Sequence, residues 1–327
     1  MPVGLGIGVS HAPGMYLKTQ EEWDNLWERL STGRGIPQPG YVARETGEKL
    51  QEMIARIQAG HDALKKAYDE YDPEILIIIG GDQSEVFDRS NVPQLMMFMA
   101  ESGQGRAPGQ PMAQPGVPDK FPPIKFDIDV EFSKNLLNKL VKQKDFDVAF
   151  STELKPLGRA HGLPHAFNNP ASYILDDNHR TPTVIFYQNT YDPPSLSAKR
   201  CYDLGVAIAE ICKNDPRRIA ILGSGGLAHD PGGKRSGWLD QPLDKWFLEQ
   251  IANGDGRKTE ALFSFDSDTM VAGTGEIRAW ITVAGAMETM GAKANVVDYV
   301  EAAKTVTGLG FAYWLAEEPQ SQLLAAE

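Results

Sequence analysis

The sequence predicts an α/β fold, a largely parallel central sheet flanked by helices, built as one domain over residues 1–327. Three observations carry the prediction. Short apolar runs such as Ile75-Leu76-Ile77-Ile78-Ile79 have the composition of strands buried on both faces. Segments with apolar residues at helical spacing separate those runs, so strand and helix alternate as they do in βαβ units. At 327 residues the chain is long enough to bury a sizeable core, and no repeat at a fixed period marks a solenoid or propeller.

Val3 to Val9 is the first strand, a glycine-spaced apolar run that stops at Ser10-His11-Ala12-Pro13. Thr46 to Tyr71 reads as a long amphipathic helix, with Leu50, Met53, Ile54, Ile57, Leu64 and Ala67 on one stripe. Pro73 breaks it, and the isoleucine-rich run from Ile75 follows, which completes a βαβ unit with a right-handed crossover. Residues 103–124 are dense in Gly, Pro and Gln and predict a long irregular surface loop, of the kind that forms an active-site wall. Asp129 to Lys144 returns to helical spacing, and Asp147 to Phe150 is a short strand. Thr183 to Tyr187 is another buried strand, and Ser197 to Lys213 a helix. Arg218 to Leu222 is a strand running into Gly223-Ser224-Gly225-Gly226, and helices near Leu239 to Ala252 and Glu276 to Ala286 follow. The last stretch, from about 315 to 327, is a polar tail.

Lysine and arginine total 32 against 44 aspartates and glutamates, a formal charge of −12, and the cations are dispersed. That excludes the basic footprint of a nucleic-acid binder. Only Cys201 and Cys212 occur, with no CxxC, so neither a disulfide framework nor a thiolate metal site is expected. No signal-peptide pattern opens the chain and no stretch reaches about 18 consecutive apolar residues, so a cytoplasmic protein without a membrane partner is expected.

Of six histidines, His11, His161 and His229 fall where a predicted strand or rigid turn gives way to a loop. In an open α/β sheet, ligands gather beyond the carboxyl ends of the strands, so His11 and His229 point to one cleft. Each alone also fits a polar strand-end residue bonded to its turn. The glycines at 223–226 match neither GxGxxG nor a GxxxxGK[ST] loop, so nucleotide binding has little support. Ser10 and Ser224 stand beside histidines, yet neither lies in a GxSxG elbow. Glu276 opens an apolar helix, where an acid ordinarily meets the helix dipole. With a cation present, two histidines and a carboxylate instead form the facial set that leaves open positions on non-haem Fe(II).

Five ordered motifs resemble one family. They are strand-Ser10-His11-Ala12-Pro13, Gly80-Gly81-Asp82-Gln83-Ser84-Glu85-Val86-Phe87, His161-Gly162-Leu163-Pro164-His165-Ala166-Phe167, Gly225-Gly226-Leu227-Ala228-His229, and Gly273-Thr274-Gly275-Glu276 with Arg278 and Trp280. The pattern is similar to the class III extradiol ring-cleavage dioxygenases, the superfamily of the protocatechuate 4,5-dioxygenase β-subunit. The Asp-Gln, Pro-His-Ala-Phe and Val296-Val297-Asp298-Tyr299 details resemble the 3-O-methylgallate dioxygenase branch. The resemblance implies an iron held by His11 and Glu276 and an acid/base at His229. It also implies a catalytic histidine beside the substrate at His161 and substrate contacts from Asp82 and His165; Arg278 is a candidate partner for the carboxylate of an acidic substrate.

The family's second histidine ligand falls on Gln83, a weaker oxygen donor. His61 is the alternative. It shares the stripe of Ile54, Ile57 and Leu64 and lies about 15 Å up its helix from Tyr71, near the height at which the next strand ends. Its ring would have to pass between helix and sheet, so Gln83 is preferred.

The expected activity is therefore an Fe(II)-dependent extradiol dioxygenase, with Mn(II) as the other ion the site would accept. It would insert O2 into a small aromatic diol such as gallate, 3-O-methylgallate or a related lignin-derived compound. A homo-oligomer, a dimer, is the expected assembly. Two other functions stay open: a metal-dependent hydrolase with the same ligands, and a scaffold that lost catalysis with its second histidine ligand.

Overall fold

A computed structural model describes residues 3–31, 40–109, 118–154, 162–175 and 181–316. In chain order the elements are β1 (Val3–Val9), α1 (Gln20–Ser31), α2 (Gly47–Tyr71), β2 (Ile75–Gly80), β3 (Leu95–Phe98), β4 (Ser102–Gly105) and β5 (Ile124–Asp127). There follow α3 (Val130–Lys144), β6 (Ala149–Ser151), α4 (His165–Ile174), β7 (Thr183–Gln188), α5 (Ala198–Cys212) and β8 (Ile219–Ser224). The chain closes with α6 (Gln241–Asn253), α7 (Ile277–Thr289), β9 (Ala294–Ala302) and β10 (Thr307–Leu315).

Eight strands form one sheet in the order β6-β3-β7-β2-β8-β1-β10-β9. Its centre, β7-β2-β8-β1, is parallel throughout, and the antiparallel pairs lie towards the edges. The expected α/β domain with a mostly parallel sheet is what the chain builds. Period-two alternation makes two cores from this sheet. Ile75, Ile77 and Ile79 join α3, α5, α6 and α7 on one face, while Leu76 and Ile78 join α2 and α4 on the other. Both sides of β1, β2 and β8 are therefore dry, as the unbroken apolar runs require. Local chemistry sets the helix ends. Asp129 caps α3 by accepting the Phe132 N–H at 2.8 Å, and Gly254, at φ +76°, ends α6.

Only the ends of the loop expected at 103–124 are regular, and residues 106–109 and 118–123 belong to no helix or strand. β4 pairs antiparallel with β5, from Ser102 opposite Asp127 to Gly105 opposite Ile124. Backbone pairing needs no favourable side chain, so a Gly-Gln-Gly ribbon can form where composition argues against it; residues 110–117, between the strands, lie outside the described residues. The expected polar tail also falls largely outside them, and β10 runs to Leu315. Among the described residues no helix is long and apolar enough to cross a membrane. Cys201 and Cys212 are free and buried.

Candidate active site

Parallel pairing brings distant residues to one edge of the sheet. Val9 is level with Ser224 across β1 and β8, and Ile79 is level with Gly223 across β2 and β8. The segments that follow these strands, carrying His11, Gln83 and Ser224 to His229, therefore leave the sheet at the same height and on the same side. Glu276 comes from the 3₁₀ turn Ala272–Glu276 that leads into α7, which packs along β1 and β8. Two glycines make room at the meeting point. A Cβ on Gly225 (φ +129°) would lie 2.6 Å from the Glu276 Cβ, and one on Gly273 would lie 1.9 Å from His229 Nε2.

Glu276, 1% exposed, is the hub. Its Oε1 accepts the Gln83 side-chain N–H at 2.8 Å, and its Oε2 accepts the Gly226 N–H at 2.9 Å. The same Oε2 faces His11 Nε2 at 3.4 Å and His229 Nε2 at 3.5 Å. Burial works to raise the pKa of this carboxyl, but His11, His229 and the Gln83 hydrogen bond outweigh it and hold the group well below the usual carboxylate range. An anion is thus fixed in a site almost without water.

The partners of the two histidines assign their tautomers. Ser224 spends its one proton on the Ala166 carbonyl at 2.6 Å, so its oxygen accepts from His11 Nδ1 at 2.9 Å. Nδ1 of His11 carries the hydrogen, and Nε2 of the neutral ring is a bare lone pair. Burial lowers the His11 pKa despite the opposing pull of Glu276, which favours that neutral ring. His11 Nε2 is buried with no hydrogen-bond partner. At His229 a carbonyl, Leu227 O, faces Nδ1 at 2.8 Å and can only accept, so Nδ1–H donates and Nε2 of the neutral ring faces Glu276 with a lone pair. A buried lone pair 3.4 Å from an ionised carboxylate oxygen is electrostatically unfavourable unless positive charge stands between them. One imidazole nitrogen and one carboxylate are donors that suit a divalent transition metal. Among the described residues no three His, Cys, Asp or Glu side chains form a finished metal cage.

The other expected site residues take varied places. His165 opens α4 with its ring edge-on to His11, centroids 4.6 Å apart at 84°. Its backbone N–H and Nδ1 both meet Glu85 Oε2, at 3.1 and 2.6 Å. Asp82, expected at the substrate, turns inward instead: its carboxylate accepts the backbone N–H groups of Glu85, Val86 and Phe87 and so folds the loop that follows β2. His61, the alternative ligand, belongs to another cluster. Its ring stacks on Tyr173 at 4.1 Å and Tyr16 at 5.6 Å and meets Phe311 edge-on, so the helix delivers it to an aromatic pocket and not to Glu276. Arg278 lies over the Phe263 ring at 3.7 Å and donates to the carbonyls of Leu196 and Gly275. His161 lies outside the described residues.

Sequence reading missed three contributors. Ser224 fixes the His11 tautomer, and Glu85 orients His165. Asp244, buried on α6, accepts the Ala228 N–H at 2.9 Å, one residue before His229, and burial pushes its carboxyl up to about 8. Glu85 lay within a quoted motif, and Ser224 was weighed only as a serine beside a histidine; nothing in the sequence signals Asp244.

Residues 5–312 match the family model described as the catalytic LigB subunit of aromatic ring-opening dioxygenase. A 2,3-dihydroxyphenylpropionate/2,3-dihydroxicinnamic acid 1,2-dioxygenase of Dechloromonas aromatica is 24% identical over 195 residues, which cover 60% of this chain and 54% of that protein. The enzyme of that name from Burkholderia vietnamiensis is 23% identical over 297 residues, covering 76% of this chain and 86% of its own. A gallate dioxygenase of Pseudomonas putida is 27% identical over 147 residues, 44% of this chain and 41% of the other. The matched region thus spans about half the length of the first and third of these relatives.

Proposed function

Because this chain belongs to the family of catalytic LigB subunits of aromatic ring-opening dioxygenases, by a match over residues 5–312, we propose that it is an Fe(II)-dependent extradiol dioxygenase. Its substrate class is a catechol-type diol, of the gallate, 3-O-methylgallate or related lignin-derived kind. One observation carries the reading: His11 Nε2 and His229 Nε2 converge on a single buried oxygen of Glu276, at 3.4 and 3.5 Å.

His11 and Glu276 would hold the metal. Bound Fe(II) supplies the redox chemistry that lets O2 combine with an aromatic diol. The protein's own groups supply the rest. His229 Nε2 takes a phenolic proton as the diol binds and returns it as the ring opens, while Leu227 O keeps the opposite nitrogen protonated. Gln83 and the Gly226 N–H hold the Glu276 carboxylate in one orientation. Both atoms of O2 enter the product and the ring carbon–carbon bond beside the diol breaks, so no external reductant is consumed.

The test is an assay of Fe(II)-loaded protein with gallate, 3-O-methylgallate and a plain catechol, in air and under argon. Ring-opened product should form only in air, with one O2 taken up per ring cleaved. Turnover under argon, or product formed without O2 uptake, would refute the proposal and leave hydrolysis as the activity.

A further inference from the structure

We infer that the metal's third protein ligand is His165, brought in by the start of α4, and that Gln83 serves Glu276 and not the ion. The inference rests on the metal-dependent reading above.

An amide ligates a metal through its oxygen, and Gln83 is committed otherwise. Its N–H lies 2.8 Å from Glu276 Oε1, and turning the amide over would set two acceptors against each other inside a buried site. Gln83 thus fixes the orientation of the carboxylate. His61 stacks among Tyr16, Tyr173 and Phe311.

His165 has the chemistry and the placement. The Glu85 carboxylate accepts at its Nδ1, 2.6 Å away, so in the neutral ring Nε2 carries the lone pair. A carboxylate behind an imidazole is the arrangement that orients metal-bound histidines and strengthens them as donors. Ser224 plays the same part behind His11. The spacing of the two rings agrees with a shared ion. A nitrogen about 2.1 Å from a metal puts its ring centre about 3.2 Å away, so two such nitrogens at roughly 90° about one ion leave their ring centres about 4.5 Å apart; the His11 and His165 centroids are 4.6 Å apart. His11 Nε2, buried and without a partner, marks where the ion would lie. Among the described residues no three His, Cys, Asp or Glu side chains are grouped so as to hold a metal, so His165 would have to move towards the ion for it to bind.

The loop after β2 explains the exchange. It places Gln83 where an imidazole would otherwise reach Glu276, and two residues later it presents Glu85, which grips the imidazole of His165. Asp82 pins that loop through the N–H groups of Glu85, Val86 and Phe87, so the carboxylate behind His165 is itself held in place. His229 is the rival, its Nε2 3.5 Å from Glu276 Oε2.

The experiment measures Fe(II) per chain and its dissociation constant by competition with a chromophoric chelator, on the full chain without oxygen. His165→Ala and His165→Gln should weaken Fe(II) at least 100-fold, and Glu85→Gln about 10-fold. Gln83→Ala, His61→Ala and His229→Ala should each stay within 10-fold of wild type. In His165→Gly, added imidazole should restore metal binding, which separates a lost donor from a damaged fold. Wild-type affinity in the His165 variants, or a 100-fold loss in Gln83→Ala or His229→Ala alone, overturns the assignment. If wild type binds no Fe(II), or His11→Ala binds it undiminished, the metal-dependent reading itself fails, and that result is distinct from either.

Discussion

The buried imidazole of His61 makes a quantitative claim about stability. Its residue is 5% exposed, its ring is stacked against Tyr173 and Tyr16, and its Nε2 has no hydrogen-bond partner. Burial, aided by Lys18 and opposed by Asp62, lowers its pKa from 6.5 to about 4. Burial pushes the hydroxyls of Tyr16 and Tyr173 upward, so both remain neutral in acid. A base whose native pKa lies below its unfolded value binds fewer protons folded than unfolded between the two. Its contribution is therefore complete above about 6.5 and drains away as pH falls towards about 4. At 1.36 kcal/mol per pH unit the loss approaches roughly 3 kcal/mol across that window.

Other buried acids titrate there too, and Asp244, raised to about 8, changes stability with the opposite slope. The informative quantity is thus a difference. Urea unfolding of wild type and His61→Phe at intervals from pH 7 to pH 4 gives two stability curves, in which every group but His61 cancels to first order. Wild type should lose roughly 3 kcal/mol more than the variant over that range. A gap constant to within about 0.5 kcal/mol would show that the ring is protonated as readily in the fold as in water, and would refute its burial in an aromatic pocket.

Two variants probe the site itself. His229→Ala should leave the bound Fe(II) unchanged while single-turnover ring opening slows by about 10²–10⁴-fold, since a proton donor is lost and a ligand is not; equal rates would remove His229 from proton transfer. Gly273→Ala places a methyl 1.9 Å from His229 Nε2 and should displace that ring, cutting ring opening by a similar factor while the unfolding midpoint moves little. Wild-type turnover in this variant would show that the ring's position is not needed.

The buried strands were legible because their chemistry is local. β1, β2, β7 and β8 are aliphatic and β-branched runs, and each appears within two residues of its expected ends. The antiparallel edge was not foreseen. β10 reads Thr-Gly-Leu-Gly-Phe-Ala-Tyr-Trp-Leu and β9 carries Asp298 and Glu301, so neither shows clean alternation, and their pairing is a long-range fact. α4 was hidden for another reason: His165-Ala166-Phe167-Asn168-Asn169-Pro170 has poor helix propensity, and packing overrides it, with Asn168 and Asn169 buried and bonded to the carbonyls of Leu163 and His11. Within the site, residue types and order pointed to His11, His229 and Glu276, which the fold brings together at one Glu276 oxygen. Which end of Gln83 faces Glu276, and that Glu85 holds a ring 80 residues away, are properties of the folded loop alone.

The place of β1 within the sheet carries a consequence for how the protein is made. The strand that delivers His11 lies between β8 and β10, whose residues begin at Ile219 and Thr307. On the ribosome, at 5–20 residues per second, β1 waits roughly 10 to 40 s for its first neighbour and longer for its second. During that interval a seven-residue run, fully buried in the native state, is unpaired on a growing chain. Its three glycines, at positions 4, 6 and 8, lower its tendency to extend and associate while it waits. The interior of the sheet, and the candidate site at the carboxyl ends of its strands, close only in the last stage of synthesis, so nascent chains stalled before β8 should be the ones that chaperones retain.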